Sequence, residues 1–498
     1  MKVLLLNPFL MVYPDDPSGI NPPLGLVYLA SFLESKNIQV GILDIAAEGV
    51  EQKIKIGNKI RCGLSEKEIK ERIKSFSPKI VGISCQSTLH AKDAHEIARL
   101  TKEVDKNIWV VMGGAHPSAV PEDVLKDKNI DLVVRGEGEI TFWELVKNYP
   151  KINNWSEIKG ISWRKNNKII HNTPREYIKD LDFLPFPARH LLPMETYFRE
   201  AREGISYSLK NRVVTMISSR GCPGNCIYCA VRTVWGRCWR GRSPENVVDE
   251  IELLIRDYGA EEVHFLDDSI SVDKKRLEGI CDKIIQRGLK IKWTTPNGIA
   301  VWLLDKDLLL KMKKSGCYRL TFGLESGNKE ILSEFIGKNY DYKRVREIIR
   351  FASKIGLWTI GTFIIGFPYE TREQIEDTIS FAILTDLDFA TFYIANPFPG
   401  TRMYEIYKKE KLLPGEGAYQ IVRGCKSKNF SHQELISLQS DAFTRFLRSR
   451  FARPGLMARK LNSFQNWPYF LKLGRSLGKF VISQSFVKTK GIAALWER

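Results

Sequence analysis

The stretch Ser218–Gly236, SSRGCPGNCIYCAVRTVWG, carries three cysteines, Cys222, Cys226 and Cys229, spaced x3 and x2. It follows an apolar run, VVTMISS, so the cysteines sit on a loop at the carboxyl end of a strand. Pro223, Gly224 and Asn225 let that loop curl so that three sulfurs converge. Four close thiolates would suit a tetrahedral zinc or a fully ligated cluster. Three on a [4Fe–4S] cube leave one iron open to a further ligand. Two other readings stay open on the residues alone: a zinc knuckle completed by a remote His, or thiols grouped by chance. The spacing, the place after a strand and the aromatic Tyr228 before the last cysteine favour the cluster.

Downstream, further apolar runs alternate with helical patterns: EVHFLDD, IKWTTPN, YRLTFGLES, TIGTFIIGFP and ATFYIANPFPG. Six βα units over residues 212–401 predict an open, partial (β/α)6 barrel, although a flat sheet shares this alternation. Upstream, residues 1–148 alternate in the same way, with runs such as IVGIS and WVVMG that are continuously apolar. That is the pattern of parallel strands buried on both faces, and it predicts a Rossmann-like α/β sheet. Ligands in such sheets lie beyond the carboxyl ends of the strands. Those ends carry Ser84 with Gln86, the turn Gly113-Gly114-Ala115-His116, and the turn Gly136-Glu137-Gly138-Glu139. Residues 149–211, turn-rich with LDFLPFPARHLLP, read as a linker packed between domains. Residues 402–498 read as a basic, mostly helical C-terminal region.

The chain has 498 residues, room for about three domains, and its 43% apolar and 27% charged residues are those of a globular protein. No window holds about 18 uninterrupted apolar residues, so no conventional membrane span is expected. The first run, broken by Pro8, reads as a strand and not as a signal peptide. With the six other cysteines scattered, this points to a reducing cytoplasm. The net charge is +18, which calls for an acidic partner: nucleic acid, anionic lipid or a phosphorylated cofactor. From Asp441 to Arg498 there are twelve Lys/Arg against two acids, so the excess is concentrated in the tail. There Trp467, Tyr469, Phe470 and Leu471 stand among Arg459, Lys460, Lys472, Arg475 and Lys479. Such interleaving suits either an anionic membrane interface, at the inner face, or a helical cap with a solvated basic face.

The cysteine motif and the barrel pattern resemble those of the radical S-adenosylmethionine (SAM) enzymes. In that family an open cluster iron binds the amino and carboxyl groups of SAM, whose reductive cleavage gives a 5′-deoxyadenosyl radical. The resemblance places Tyr228 against the adenine and Asp267-Asp268 near the methionine amino group. It places Glu325-Ser326 at the ribose, and Gly366 and Pro368, with Glu370, near the adenine. Thr362 departs from the family pattern, where Gly is common. For each acid the alternative is an ordinary helix cap. Arg240 and Arg242 are candidates for the SAM carboxylate or a cobalamin phosphate, or form a solvated basic loop.

The domain order resembles that of the cobalamin-dependent radical enzymes, which include methyltransferases, hopanoid methylases and the anaerobic cyclase of bacteriochlorophyll synthesis. The resemblance covers about residues 1–401. It implies cobalamin at Pro23, Gly25, Ser84, Gln86, Gly113, Gly114, His116, Gly136, Glu137 and Glu139. The signature D-x-H-x-x-G is absent; DAHEIA, with His95, lies in a helical pattern, so His95 reads as a surface or packing residue. A dinucleotide fold is disfavoured because no G-x-G-x-x-G follows the first strand. The reading is a radical enzyme with a [4Fe–4S] cluster, SAM and cobalamin. It methylates an unactivated carbon of a small-molecule or lipid-like intermediate through the adenosyl radical and methylcobalamin, with a flavodoxin- or ferredoxin-like reductant. The alternatives are a radical cyclase or rearrangement enzyme and, in another class, an RNA-modifying or nucleic-acid-binding protein, against which stands the lack of any RNA-binding module. No residue is assigned to the chemical step.

Overall fold

The computed structural model describes residues 1–12, 20–203, 208–413, 424–461 and 467. Strands β1 (Lys2–Asn7), β2 (Gln39–Asp44), β3 (Ile80–Ser84), β4 (Trp109–Gly113) and β5 (Leu132–Val134) form a parallel sheet in the order β2-β1-β3-β4-β5. Continuous apolar runs arise because alternate residues serve two cores: Val3 and Leu5 face one, Leu4 and Leu6 the other. The strand order reverses between β1 and β3, which opens a crevice at their carboxyl ends. A hairpin from the connecting stretch, β6 (Ile161–Lys165) and β7 (Lys168–His171), adds two antiparallel strands beyond β5.

The second sheet holds β8 (Val213–Met216), β9 (Glu262–Phe265), β10 (Lys292–Ile299), β11 (Cys317–Glu325), β12 (Trp358–Ile365) and β13 (Phe389–Ile394), parallel and in chain order. Local sequence sets the intervening helices. Ser243 caps Pro244–Tyr258, with Pro at its first turn, and Gly259 ends it in the left-handed region at φ 60°. One face of each strand packs outward on helices through Val214, Met216, Val263, Phe265, Leu320 and Phe322. The same core continues through Leu24 and Val27 of the first domain, so the two units share apolar packing. The other face turns inward.

Beyond the barrel the chain forms helices Arg402–Lys409, His432–Phe451 and Pro454–Leu461. The longest covers the edge strand β13, where Gln439 Nε2 donates to the Phe392 carbonyl at 2.6 Å. Lys460, expected on a basic face, is instead fully buried and pairs with Asp388 at 3.0 Å. Trp467 is exposed; Tyr469, Phe470, Leu471, Lys472, Arg475 and Lys479 lie outside the described residues. Among the described residues no helix is long and apolar enough to cross a membrane.

Candidate active site

The cysteine loop leaves the short strand Ser219–Arg220 and is pinned at both ends. At its start, the Ser218 amide and hydroxyl donate to Asp267 at 3.0 and 2.7 Å, and the Gly221 amide donates to Asp268 at 3.3 Å. Gly221 has φ +85°, and a Cβ there would stand 2.4 Å from the Cys238 carbonyl oxygen, so only glycine lets the chain turn into Cys222. At the crest, the Ile227 amide donates to the Ile336 carbonyl at 3.0 Å and the Met403 amide to the Ile227 carbonyl at 3.1 Å. Arg402 Nη2 donates to the Asn225 carbonyl at 2.7 Å. Cys222 and Cys226 flank Gly224, whose Cβ would lie 3.3 and 3.8 Å from their sulfurs.

Among the described residues no three His, Cys, Asp or Glu side chains are already gathered as a metal site. The donor chemistry nevertheless fits a cluster. All three thiols are half-buried, and burial raises their pKa values, that of Cys229 to about 12. Thiolates at such positions need the positive charge of a bound metal.

The residues expected around SAM gather near this loop, several of them held by the protein itself. Asp268 is pushed up to about 6 by burial and by the neighbouring Asp267; the cap of the following helix is Asp273 instead. Glu325 sits at φ +66°, rare for a non-glycine residue, and accepts from Lys338 Nζ at 2.6 Å and from the Tyr228 hydroxyl. Ser326 is buried and hydrogen-bonds Thr378 at 3.0 Å. Tyr228 packs near Phe367, with ring centroids 6.3 Å apart. Glu370 accepts from the Gly366 and Phe367 amides at 2.6 and 3.1 Å and straps the turn that contains Pro368. Burial pushes Glu370 up to about 8. Lys338 was not legible as a site residue, since it lies on a loop with no motif.

Arg240 and Arg242 correct the expectation of cofactor contacts or a solvated loop. Arg240 donates to Glu137 at 2.8 and 3.0 Å and to the Ile178 carbonyl at 2.7 Å. Arg242 donates to Glu250, to Asn246 Oδ1 at 2.6 Å and to the Ile217 carbonyl at 3.1 Å. Both guanidiniums are buried and held by protein acceptors, Arg240 through Nη1 alone.

A cavity of about 1060 Å³ lies between the two sheets. Its first wall includes Pro23, Gly25, Ser84, Gln86, Gly113, Gly114, Gly136, Glu137 and Glu139. A Cβ on Gly25, Gly113 or Gly136 would find no atom nearer than 3.6 Å, so side chains there would project into open room. This glycine-lined cradle fits a large flat ring system. Gly114 lines the wall for another reason: at φ +117° its Cβ would meet the Cys85 carbonyl oxygen at 2.5 Å.

Two expectations on this wall need correction. His116 is not on the cavity; its ring is buried, with Nδ1 3.0 Å from Thr88 Oγ1, and burial lowers its pKa to about 4. The Glu137 carboxylate serves Arg220, Arg240 and the Ile178 amide and not a cofactor's amides, whereas Glu139 gives one oxygen to Arg220 and keeps Oε2 without a partner among the described residues. His95, read as a packing residue, sits 2.7 Å from Asp127 on the outer side of the domain.

The opposite wall is the barrel lumen. Thr215, His264, Thr294 and Arg319 occupy one row of paired positions across β8 to β11, and Thr215, His264 and Arg319 line the cavity with Asn297. Such layers in barrels are usually branched apolar residues. The period of two in VVTM, EVHF and YRLTF carried this signal: polar residues alternate with core residues. Between the walls the cavity is lined by Ala230, Val231, Val234 and Trp235, which directly follow Cys229.

Comparison with known proteins agrees with this architecture. The model of the radical SAM superfamily matches residues 216–382 and that of the B12 binding domain residues 15–146. The chain is 36% identical over 483 residues to the uncharacterized methyltransferase PH0819 of Pyrococcus horikoshii, spanning 95% of this chain and 97% of that one. It is 32% identical over 451 residues to the cytidylyl-2-hydroxyethylphosphonate methyltransferase of Streptomyces wedmorensis, spanning 84% of each. Its fold is similar to that of the radical SAM methyltransferase TsrM from Kitasatospora setae, solved with cobalamin and a [4Fe–4S] cluster bound. The TM-score is 0.67 at 18% identity, over 84% of this chain and 78% of that one.

Proposed function

We propose methyl transfer to an unactivated carbon for this chain, which belongs to the radical SAM enzymes that carry a B12-binding domain. The observation that carries the reading is the continuous cavity from the glycine cradle, past the segment after Cys229, to the polar lumen of the barrel. When bound, the cluster and SAM supply an adenosyl radical and cobalamin supplies a methyl group. Cys222, Cys226 and Cys229 hold the cluster. Tyr228, Glu325 and the strapped turn at Gly366–Pro368 orient SAM beside it. Gly25, Gly113 and Gly136 admit the cobalamin ring, and the substrate lies against Thr215, His264, Asn297 and Arg319. That polar row favours a small polar substrate over a hydrocarbon one. A one-electron reductant is required.

Each methylated product should accompany one S-adenosylhomocysteine and one 5′-deoxyadenosine, with labelled methyl passing from SAM into product. Product formed without label and without stoichiometric S-adenosylhomocysteine would replace methyl transfer by cyclisation or rearrangement.

A further inference from the structure

Arg220 stands two residues before Cys222, and no motif assigns it. Its side chain is 4% exposed. Nη1 donates to Glu137 at 2.9 Å and Nη2 to Glu139 at 2.6 Å, both acids belonging to the turn after β5 in the first domain. Arg220 is also the ladder partner of Arg240. Two arginines directly opposite each other repel, and here Glu137 accepts from both. The Ile178 amide adds a bond to the same carboxylate at 2.8 Å. Trp235, beyond the third cysteine, lies under the Arg220 guanidinium at 4.8 Å. The hairpin that leads into the cysteine loop is therefore compatible with its own sequence only when the first domain is docked.

Buried ion pairs of this kind are poor sources of stability, since apolar residues of similar volume are often as stable or more so. What they supply is one geometry. Arg240 even keeps Nε and Nη2 without an acceptor among the described residues. We infer that Glu137, Arg220 and Arg240 are positioning residues that fix the cysteine loop at one separation from the glycine cradle, and so hold the two bound cofactors at one distance.

This inference rests on the cofactor assignment above, and the test separates the two. Protein loaded with cluster and cobalamin is reduced until both the cluster and cobalt(II) carry unpaired spins, and their dipolar coupling is read by electron paramagnetic resonance. The wild type should give one defined coupling. Glu137→Gln and Arg220→Lys should load both cofactors and lose that single coupling to a spread of values. The apolar quadruple variant Glu137→Met/Glu139→Leu/Arg220→Met/Arg240→Leu, which removes every charge of the network together, should keep or raise the melting temperature while losing the defined coupling. If Glu137→Gln does not fold, Arg220→Lys and the quadruple variant decide. Loaded variants that all retain the wild-type coupling would overturn the inference. Wild-type protein that takes up no cobalamin would overturn the functional reading instead.

Discussion

On the first domain's side the cavity wall is largely backbone. Gly25, Gly113, Gly136 and Gly138 leave at least 3.6 Å clear where a Cβ would stand. Around the cysteine loop, by contrast, nearly every turn is held by an acidic or basic side chain: Asp267 on Ser218, Asp268 on Gly221, Lys338 on Glu325, Glu370 on Gly366. One region leaves room beside bare backbone; the other is fixed group by group through side chains. On the proposed assignment the difference follows from the guests. A corrin ring is bulky and is met by surface, whereas a cluster and a charged amino acid are met by donors and acceptors.

The largest effect expected from this contrast is at the cysteines. Cys226→Ala should take the anaerobically reconstituted protein from about four irons per chain to nearly none and abolish 5′-deoxyadenosine formation. Retained cleavage would remove charge-and-ligand control from that side. On the shape side, Gly113→Leu should weaken cobalamin binding by about 100-fold or more, read by absorbance titration, while the melting temperature stays near wild type. Gly114→Leu should do the reverse, with a melting temperature well below wild type, because its conflict is with the Cys85 backbone. Equal behaviour of the two variants would dissolve the distinction between cradle and scaffold.

Glu370 offers a finer test. Its pKa in the folded protein, about 8, lies above the ordinary carboxyl value. Its contribution to stability is therefore full at low pH and is lost as pH rises toward 8. Glu370→Gln should melt near wild type at pH 5 and gain on it by pH 9, by up to several kcal/mol; parallel pH profiles would refute the assignment. The smallest effect is His95→Ala. It loses one partly exposed pair with Asp127, should cost about 1 kcal/mol or less, and should leave cobalamin affinity within about twofold.

The same contrast explains what the sequence makes legible. Cysteines at fixed spacing on a loop announce their chemistry, and the alternation of strands and helices announces both sheets. The glycine turns at Gly113 and Gly136 point to the wall of the cavity because strand ends are where such sheets open a crevice. His116 misleads, because a histidine beside a glycine turn does not reveal which way its ring points; here it turns inward to Thr88. Glu137 and Arg240 mislead for a deeper reason. Each looks available for a ligand, yet they are 103 positions apart and pair with each other, a pairing that only the docking of two sheets creates. The polar row at Thr215, His264 and Arg319 was present as a period of two, overshadowed by the motifs at the strand ends.

The grip on the crest of the cysteine loop also sets a schedule. Asn225 is held by Arg402, 177 positions later. At about 5–20 residues per second, a ribosome needs roughly 9 to 35 s to add that stretch. During that interval the cysteines have left the synthesis site while the residues that clasp their loop do not yet exist. The thiols are then open to assembly factors and to oxidants alike, and the clasp can close only after the last barrel strand has been made.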